Sequence, residues 1–97
     1  MLTIPKNKIF LACENHKVDK LYLFGSATGK KFSKNSDIDF LVKFNTIDLK
    51  EYFNNYIALK NNLKEILKRE IDLVEVQTLK NPILIKSINS SKKLIYG

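Results

Sequence analysis

The chain has little of several features that define other protein classes. It contains one cysteine, Cys13, so no internal disulfide can form and nothing requires an oxidising compartment. Charged side chains interrupt residues 1–20, which excludes an apolar signal core. The longest apolar runs are too short to span a bilayer. These shortages predict a cytoplasmic protein without a membrane association, whose lone cysteine packs in the core.

The chain is also short, and its length limits what it can hold. Its 97 residues predict a single domain, residues 1–97, with a modest core, because most domains contain roughly 100–150 residues. No second domain is available to hold a large substrate. We therefore expect any large substrate to supply part of the binding surface itself.

Arginine is nearly absent, whereas lysine is abundant and unevenly placed. Sixteen lysines and one arginine face ten acids, for a net charge of +7. Residues 1–34 and 80–97 are basic, whereas residues 35–79 have a net charge of −2. An acidic middle between basic ends suits a metal site in a field that attracts phosphate. The alternative is that the lysines only keep a small protein soluble.

Apolar periodicity predicts helices and strands in alternation. The clearest helix begins after Asp48, its expected N-cap, and continues to about residue 68 with apolar side chains every three to four positions. The other predicted elements are a helix over about 5–17, strands over 21–24, 37–42 and 71–76, a helix from Pro82, and a short edge strand over 94–96.

This order predicts an α+β layered fold in which helices pack on a small mixed sheet. Residues 25–36 are too few for a full crossover helix, so the first two strands should be antiparallel. The segment between residues 44 and 71 can hold a helical crossover, so the second and third strands can be parallel.

Two aspartates stand at the start of the second strand. Asp37 and Asp39 should point to the same side, because side chains alternate along a strand, while Ile38 enters the core. Paired carboxylates repel each other unless a cation lies between them, and Mg²⁺ prefers such oxygen ligands. The alternative is that both are exposed residues that cap a turn.

A third acid, Asp72, interrupts the next apolar strand. If that strand lies beside the second, Asp72 can reach the same site, and three carboxylates can hold two metal ions about 3.5–4 Å apart. The alternative is an exposed edge-strand residue or a partner of Arg69. We expect the neighbouring Glu70 and Glu75 to face solvent or the lysines, and Tyr52 and Tyr56 to serve the core or an interface.

The first strand ends at Gly25-Ser26. A glycine lets backbone N–H groups approach an anion closely, and the serine adds a hydroxyl at the start of a turn. This pair predicts a phosphate-binding turn. Ser26 can also act as a helix N-cap, which is compatible with phosphate binding.

These motifs together resemble the DNA polymerase beta-like nucleotidyltransferase superfamily, and above all its smallest branch, the minimal nucleotidyltransferases. That branch has Gly-Ser after a strand, then Ser-Asp-Ile-Asp followed by apolar residues, and a third acid on a later strand. The matching segments here are Gly25-Ser26, Ser36-Asp37-Ile38-Asp39-Phe40-Leu41-Val42, Ile71-Asp72-Leu73-Val74 and the tail from Asn81-Pro82 to Leu94-Ile95-Tyr96.

The resemblance implies a polymerase beta-like fold and a role for each motif. Asp37 and Asp39 would bind two Mg²⁺ ions, for which Mn²⁺ can substitute, and Asp72 would bind one and take the acceptor's proton. ATP would be the substrate. The loop departs from many members, because Gly29 follows Ser26 by three residues and only lysines supply its cations. The predicted nucleotide-binding residues are Gly25, Ser26, Lys30 and Ser36.

Three functions are compatible with these motifs. Small members of the branch are often antitoxins that transfer AMP to a tyrosine of a HEPN-type toxin partner, so the resemblance favours a protein adenylyltransferase. The first alternative is a non-catalytic antitoxin that inhibits its partner by binding alone. The second is an RNA-binding protein that uses its lysines. It is disfavoured because the sequence has no aromatic RNA-binding signature.

Overall fold

The computed structural model describes residues 4–28 and 36–97 as three helices, four strands and two short 3₁₀ turns. The 3₁₀ turns cover Gly25–Thr28 and Val76–Thr78. The helices are α1 (Lys6–Asn15), α2 (Leu49–Leu67) and α3 (Pro82–Ser91), and the strands are β1 (Val18–Phe24), β2 (Ile38–Phe44), β3 (Ile71–Glu75) and β4 (Lys93–Tyr96).

The four strands form one mixed sheet in the order β3-β2-β1-β4. β1 is antiparallel to both β2 and β4, whereas β2 and β3 are parallel. The short link between β1 and β2 and the helical crossover between β2 and β3 produce this arrangement, as the segment lengths predicted. The α+β class and the mixed sheet are confirmed.

One face of the sheet holds the core. Alternate residues of the central strands, including Leu21, Phe40 and Val42, are fully buried there. They pack against Ile9 of α1 and Leu63 of α2 within one continuous cluster. Cys13 belongs to the same cluster, as predicted, and burial raises the pKa of its thiol to about 12, so it stays protonated.

α3 lies against part of the opposite face of the sheet. Leu41 of β2 is buried there, and a cavity of about 230 Å³ separates Tyr22 and Leu41 from Ile85. Asn81 caps α3 by accepting hydrogen bonds from the N–H groups of Ile83 and Leu84 at 3.0 and 3.5 Å. Asp39 and Asp72 alternate with core-facing neighbours, so they belong to this second face.

Three local expectations need correction. β1 begins at Val18 rather than at residue 21, because Val18 pairs with Phe44 and is buried despite its polar neighbours. Asp48 occupies the N-cap position of α2, but its side chain makes no capping hydrogen bond. Val76 leaves the strand and enters a 3₁₀ turn. Among residues 4–28 and 36–97, no helix is both long and apolar enough to cross a membrane.

Candidate active site

The candidate active site is centred on two aspartates of neighbouring strands. Asp39 on β2 and Asp72 on β3 are register partners across the parallel pair, although 33 positions separate them in the sequence. Adjacent strands lie about 4.8 Å apart, so side chains on the same face at paired positions are neighbours. Asp39 is half-buried and Asp72 is exposed. The condition under which Asp72 could reach the site, that its strand lies beside the second, is therefore met.

The third aspartate, Asp37, precedes β2 directly and is exposed. The N–H of Ile38 donates to the carbonyl of Glu70 at 3.0 Å, which fixes the starts of β2 and β3 side by side. Burial, then the charge of Asp72, then that of Asp37 raise the pKa of Asp39. Asp39 therefore lies within electrostatic range of both other carboxylates.

These aspartates do not form a closed ligand set. Within residues 4–28 and 36–97, no three His, Cys, Asp or Glu side chains come close enough together to coordinate one ion. Their chemistry nevertheless suits a hard cation, because carboxylate oxygens are the preferred ligands of Mg²⁺. A cation beside Asp39 would also offset the like charges that raise its pKa.

Gly25 brings the end of β1 against Asp39. Its φ of +74° lies in the left-handed region, and a Cβ at this position would overlap Oδ2 of Asp39. Only glycine satisfies both the backbone conformation and this close approach. The 3₁₀ turn that follows is closed by the Thr28 hydroxyl, which donates to the carbonyl of Gly25 at 2.7 Å. The predicted phosphate-binding turn is thus adjacent to Asp39, which together with Asp37 and Asp72 we call the acidic cluster.

The other predicted nucleotide-binding residues lie between this glycine and β2 in the sequence. Ser26 lies in the 3₁₀ turn, and Ser36 is half-buried just before Asp37. The carbonyl of Ser36 accepts a hydrogen bond of 2.6 Å from Nη2 of Arg69. Arg69 therefore links the segment just before β3 to the segment just before β2. Lys30 lies outside the described residues.

Two further residues near the site were not predicted to belong to it. The Tyr56 hydroxyl donates to the carbonyl of Leu73 on edge strand β3, and burial followed by the charge of Asp72 raises its pKa. Tyr56 thus links α2 to the strand that carries Asp72. Helical periodicity alone placed Tyr56 in the core or at an interface.

Glu75 was expected to face solvent or lysines, and that prediction was wrong. It is buried, with 6% of its surface exposed, and accepts a hydrogen bond of 2.8 Å from the N–H of Gln77. Strand alternation contained the signal, since Glu75 shares a face with buried Ile71 and Leu73. Glu70, in contrast, is exposed and pairs with Lys64 at 3.2 Å, as expected.

Comparison with known proteins identifies the class of enzyme to which this chain belongs. Residues 7–97 match the family described as "Polymerase beta, Nucleotidyltransferase". The chain therefore belongs to the polymerase beta nucleotidyltransferase family and is an enzyme of the nucleotidyltransferase class.

Individual members of this family are similar to the chain over most of its length. A Methanocaldococcus jannaschii protein named "putative protein adenylyltransferase" is 37% identical over 84 residues, which cover 86% of this chain and 80% of that protein. A chain in a crystal structure described as a toxin–antitoxin with AMP-PNP is 27% identical, with a TM-score of 0.72, over 97% of this chain and 74% of that one.

A second solved structure describes a tri-AMPylated HEPN toxin of Shewanella oneidensis in complex with its minimal nucleotidyltransferase antitoxin. One of its chains is 25% identical to this chain, with a TM-score of 0.66, and the match covers 100% of this chain and 73% of that one. The resemblance to minimal nucleotidyltransferases that the motifs indicated is thereby confirmed.

Proposed function

We propose that this protein is a metal-dependent adenylyltransferase that moves AMP from ATP to a tyrosine of a HEPN-type toxin and so acts as its antitoxin. The observation that carries the proposal is the register pairing of Asp39 with Asp72 directly beside Gly25. This arrangement places carboxylates that could hold metal ions beside a glycine turn that could hold phosphates, and both are recurring parts of phosphoryl-transfer sites. The relatives described as an adenylyltransferase and as an antitoxin support the same substrate class.

The proposed reaction exchanges one bond to phosphorus for another. The acceptor phenol oxygen bonds to the α-phosphorus of ATP, the bond from that phosphorus to the bridging oxygen breaks, and pyrophosphate leaves. Asp72 is the proposed acceptor of the phenolic proton, because it is exposed at the edge strand where a partner's side chain can approach. Backbone N–H groups of the turn after Gly25 would hold the terminal phosphates.

Asp37 and Asp39 are the residues proposed to hold two Mg²⁺ ions, with Asp72 as a ligand of one of them. Bound there, the ions would neutralise charge on the entering and leaving oxygens. The half-buried position of Asp39 keeps its carboxylate oriented, while the glycine at position 25 leaves space beside Oδ2. Without that space the turn could not approach the acidic cluster.

A non-catalytic antitoxin is the second candidate, and one observation favours it. Large apolar side chains exposed along α2, among them Leu49 and Phe53, offer a surface that could cover a partner whether or not transfer takes place. Such a protein would inhibit a toxin only by covering it. The two candidates therefore differ in whether the partner is covalently changed.

The deciding experiment combines the purified protein with ATP, Mg²⁺ and its HEPN-type partner, followed by intact-mass spectrometry of the partner. We expect a gain of one or more AMP units on tyrosine. An Asp37→Asn/Asp39→Asn double variant should still bind the partner but add nothing. Growth of cells that express the toxin should then be rescued by the parent and not by the double variant. Equal rescue by both proteins, with an unmodified partner, would establish the non-catalytic antitoxin instead.

A further inference from the structure

Glu75 is a buried carboxylate without a cationic partner among the described residues. The three ion pairs within residues 4–28 and 36–97 use Glu51, Asp19 and Glu70. One oxygen of Glu75 accepts the N–H of Gln77. A buried carboxylate is costly to desolvate unless it is paired, so this position favours a cation supplied from outside the fold.

The carboxylate stands at the wall of an open cavity of about 330 Å³ between α2 and the outer edge of β3. Three aromatic rings, those of Tyr52, Phe53 and Tyr56, line it together with Glu75, and no lysine or arginine is among the described lining residues. The pKa of Tyr52 is raised first by burial and then by the negative charge of Glu75. That charge therefore acts on the interior of the cavity, which Tyr52 lines. Aromatic faces with one carboxylate are the usual environment of a bound organic cation.

The surface beside this cavity is apolar and uncovered. Leu49, Phe53 and Ile57 follow one another at intervals of four residues along α2, with 86%, 68% and 38% of their surface exposed. A small free amine would leave this stripe in contact with water. A protein that inserts one cationic side chain into the cavity would cover the stripe as well, so the apolar stripe favours a protein as the occupant.

The cavity and the candidate active site share edge strand β3 but lie on its two faces, with Glu75 on the face toward α2 and Asp72 on the opposite face. Tyr56 lines the cavity, bonds to the carbonyl of Leu73, and has its pKa raised by burial and by the charge of Asp72. A partner anchored in the cavity could reach Asp72 around the open outer edge of β3, because the two carboxylates are three residues apart on that strand. Such an anchor would add contact area for a large acceptor protein.

We propose that the Glu75 cavity is the docking site of the acceptor protein and that it takes an arginine side chain of that protein. This inference rests on the proposed function, because the occupant is the acceptor of the nucleotide. Arginine fits better than lysine, since its planar guanidinium stacks on aromatic rings, pairs with a carboxylate through parallel hydrogen bonds and is more weakly hydrated.

The test measures binding without any nucleotide, so it is independent of the transfer reaction. The full chain, isotopically labelled, is titrated with N-acetylarginine amide and, separately, with the neutral isostere N-acetylcitrulline amide, and NMR shifts are followed. We expect saturable shifts at Tyr52, Phe53 and Glu75 with the arginine probe only. Shifts of equal size with citrulline would overturn the proposal.

Three variants distinguish a loss of arginine binding from a loss of folding. Glu75→Gln keeps an acceptor for the N–H of Gln77 and should weaken arginine binding at least about tenfold, in line with a lost charged hydrogen bond. Phe53→Ala should also weaken binding, and because Phe53 is exposed this variant leaves the core untouched. Leu49→Ala is the control for the arginine probe: Leu49 is exposed and does not line the cavity, so this variant should bind N-acetylarginine amide like the parent. Unchanged arginine binding in Glu75→Gln or Phe53→Ala would refute the site.

A second measurement connects the pocket to the acceptor. In the AMP-transfer assay, Glu75→Gln should raise the KM for the partner protein at least about tenfold while kcat changes little, because docking and chemistry use different residues. An unchanged KM would overturn the docking role. If the parent binds arginine but transfers no AMP, the proposed function fails while the pocket stands.

Discussion

Gly25 and Asp39 lie so close together that a single methyl group at position 25 would overlap a carboxylate oxygen of Asp39. The two residues belong to paired ends of β1 and β2, since Phe24 and Asp39 are register partners. The contact joins the predicted phosphate-binding turn to the acidic cluster. It also makes the glycine a sensitive position for both stability and chemistry.

Gly25→Ala should therefore lose nucleotide transfer and some stability. A left-handed backbone costs a residue with a Cβ roughly 1–2 kcal/mol, and the added methyl group must displace the carboxylate of Asp39. Denaturant unfolding would measure the first effect and the AMP-transfer assay the second. Gly97→Ala adds a methyl group at another glycine with positive φ, beside Asp19 and Lys20 rather than Asp39, and should retain most transfer. Normal transfer by Gly25→Ala would mean that this contact is not part of the site.

The raised pKa of Asp39 predicts how stability depends on pH without metal. Burial and the charges of Asp72 and Asp37 raise this pKa above 3.8, so the folded chain holds the proton more tightly than the unfolded chain. The resulting stabilisation is complete below the unfolded pKa and is lost as pH rises through the folded pKa.

Asp39→Asn, which carries no charge at any pH, should accordingly raise the Tm of the metal-free protein by a few degrees at about pH 7 and by little at about pH 3. Thermal unfolding followed by circular dichroism measures this. Asp48→Asn removes an exposed carboxylate that makes no capping bond and should have little effect at either pH. A lower Tm for Asp39→Asn at neutral pH would contradict the assignment of a like-charge cluster.

Addition of Mg²⁺ or Mn²⁺ with ATP should raise the Tm of the parent protein. A ligand that binds only the folded state stabilises it by mass action, by about 2.7 kcal/mol at one hundred times its Kd. Asp39→Asn should abolish most of this increment, because the proposed ions lie beside that carboxylate. Calorimetric scans with and without the ligands test this, and an equal increment in both proteins would place the ions elsewhere.

Tyr56→Phe should destabilise the fold by about 0.5–1.5 kcal/mol, because it removes the hydrogen bond to the carbonyl of Leu73 on edge strand β3. Tyr52→Phe provides the matched comparison on the same helix, since among the described residues no hydrogen bond to its hydroxyl is present. Chemical denaturation should show a smaller loss of unfolding free energy for Tyr52→Phe than for Tyr56→Phe. Equal losses from both variants would show that the bond to β3 contributes nothing measurable.

The sequence predicted most of the fold because the signals that specify it are local. Apolar spacing marked α2, the alternation after Asp37 marked β2, and Pro82 marked the start of α3. Segment lengths then fixed which strands could be parallel. The errors, such as the early start of β1 at Val18, fall where polar residues alternate with buried ones and weaken the local apolar signal.

The sequence by itself determined the inventory of the candidate site: a glycine-serine turn, an Asp-x-Asp strand and a later strand with a third acid. Only the tertiary structure decided that Asp72 is the register partner of Asp39 and that Gly25 contacts it. It alone placed Glu75 beneath α2, at the wall of an aromatic cavity. The physical reason is that side-chain periodicity is set by neighbours along the chain. Strand register and helix docking are set instead by packing between segments that are distant in sequence.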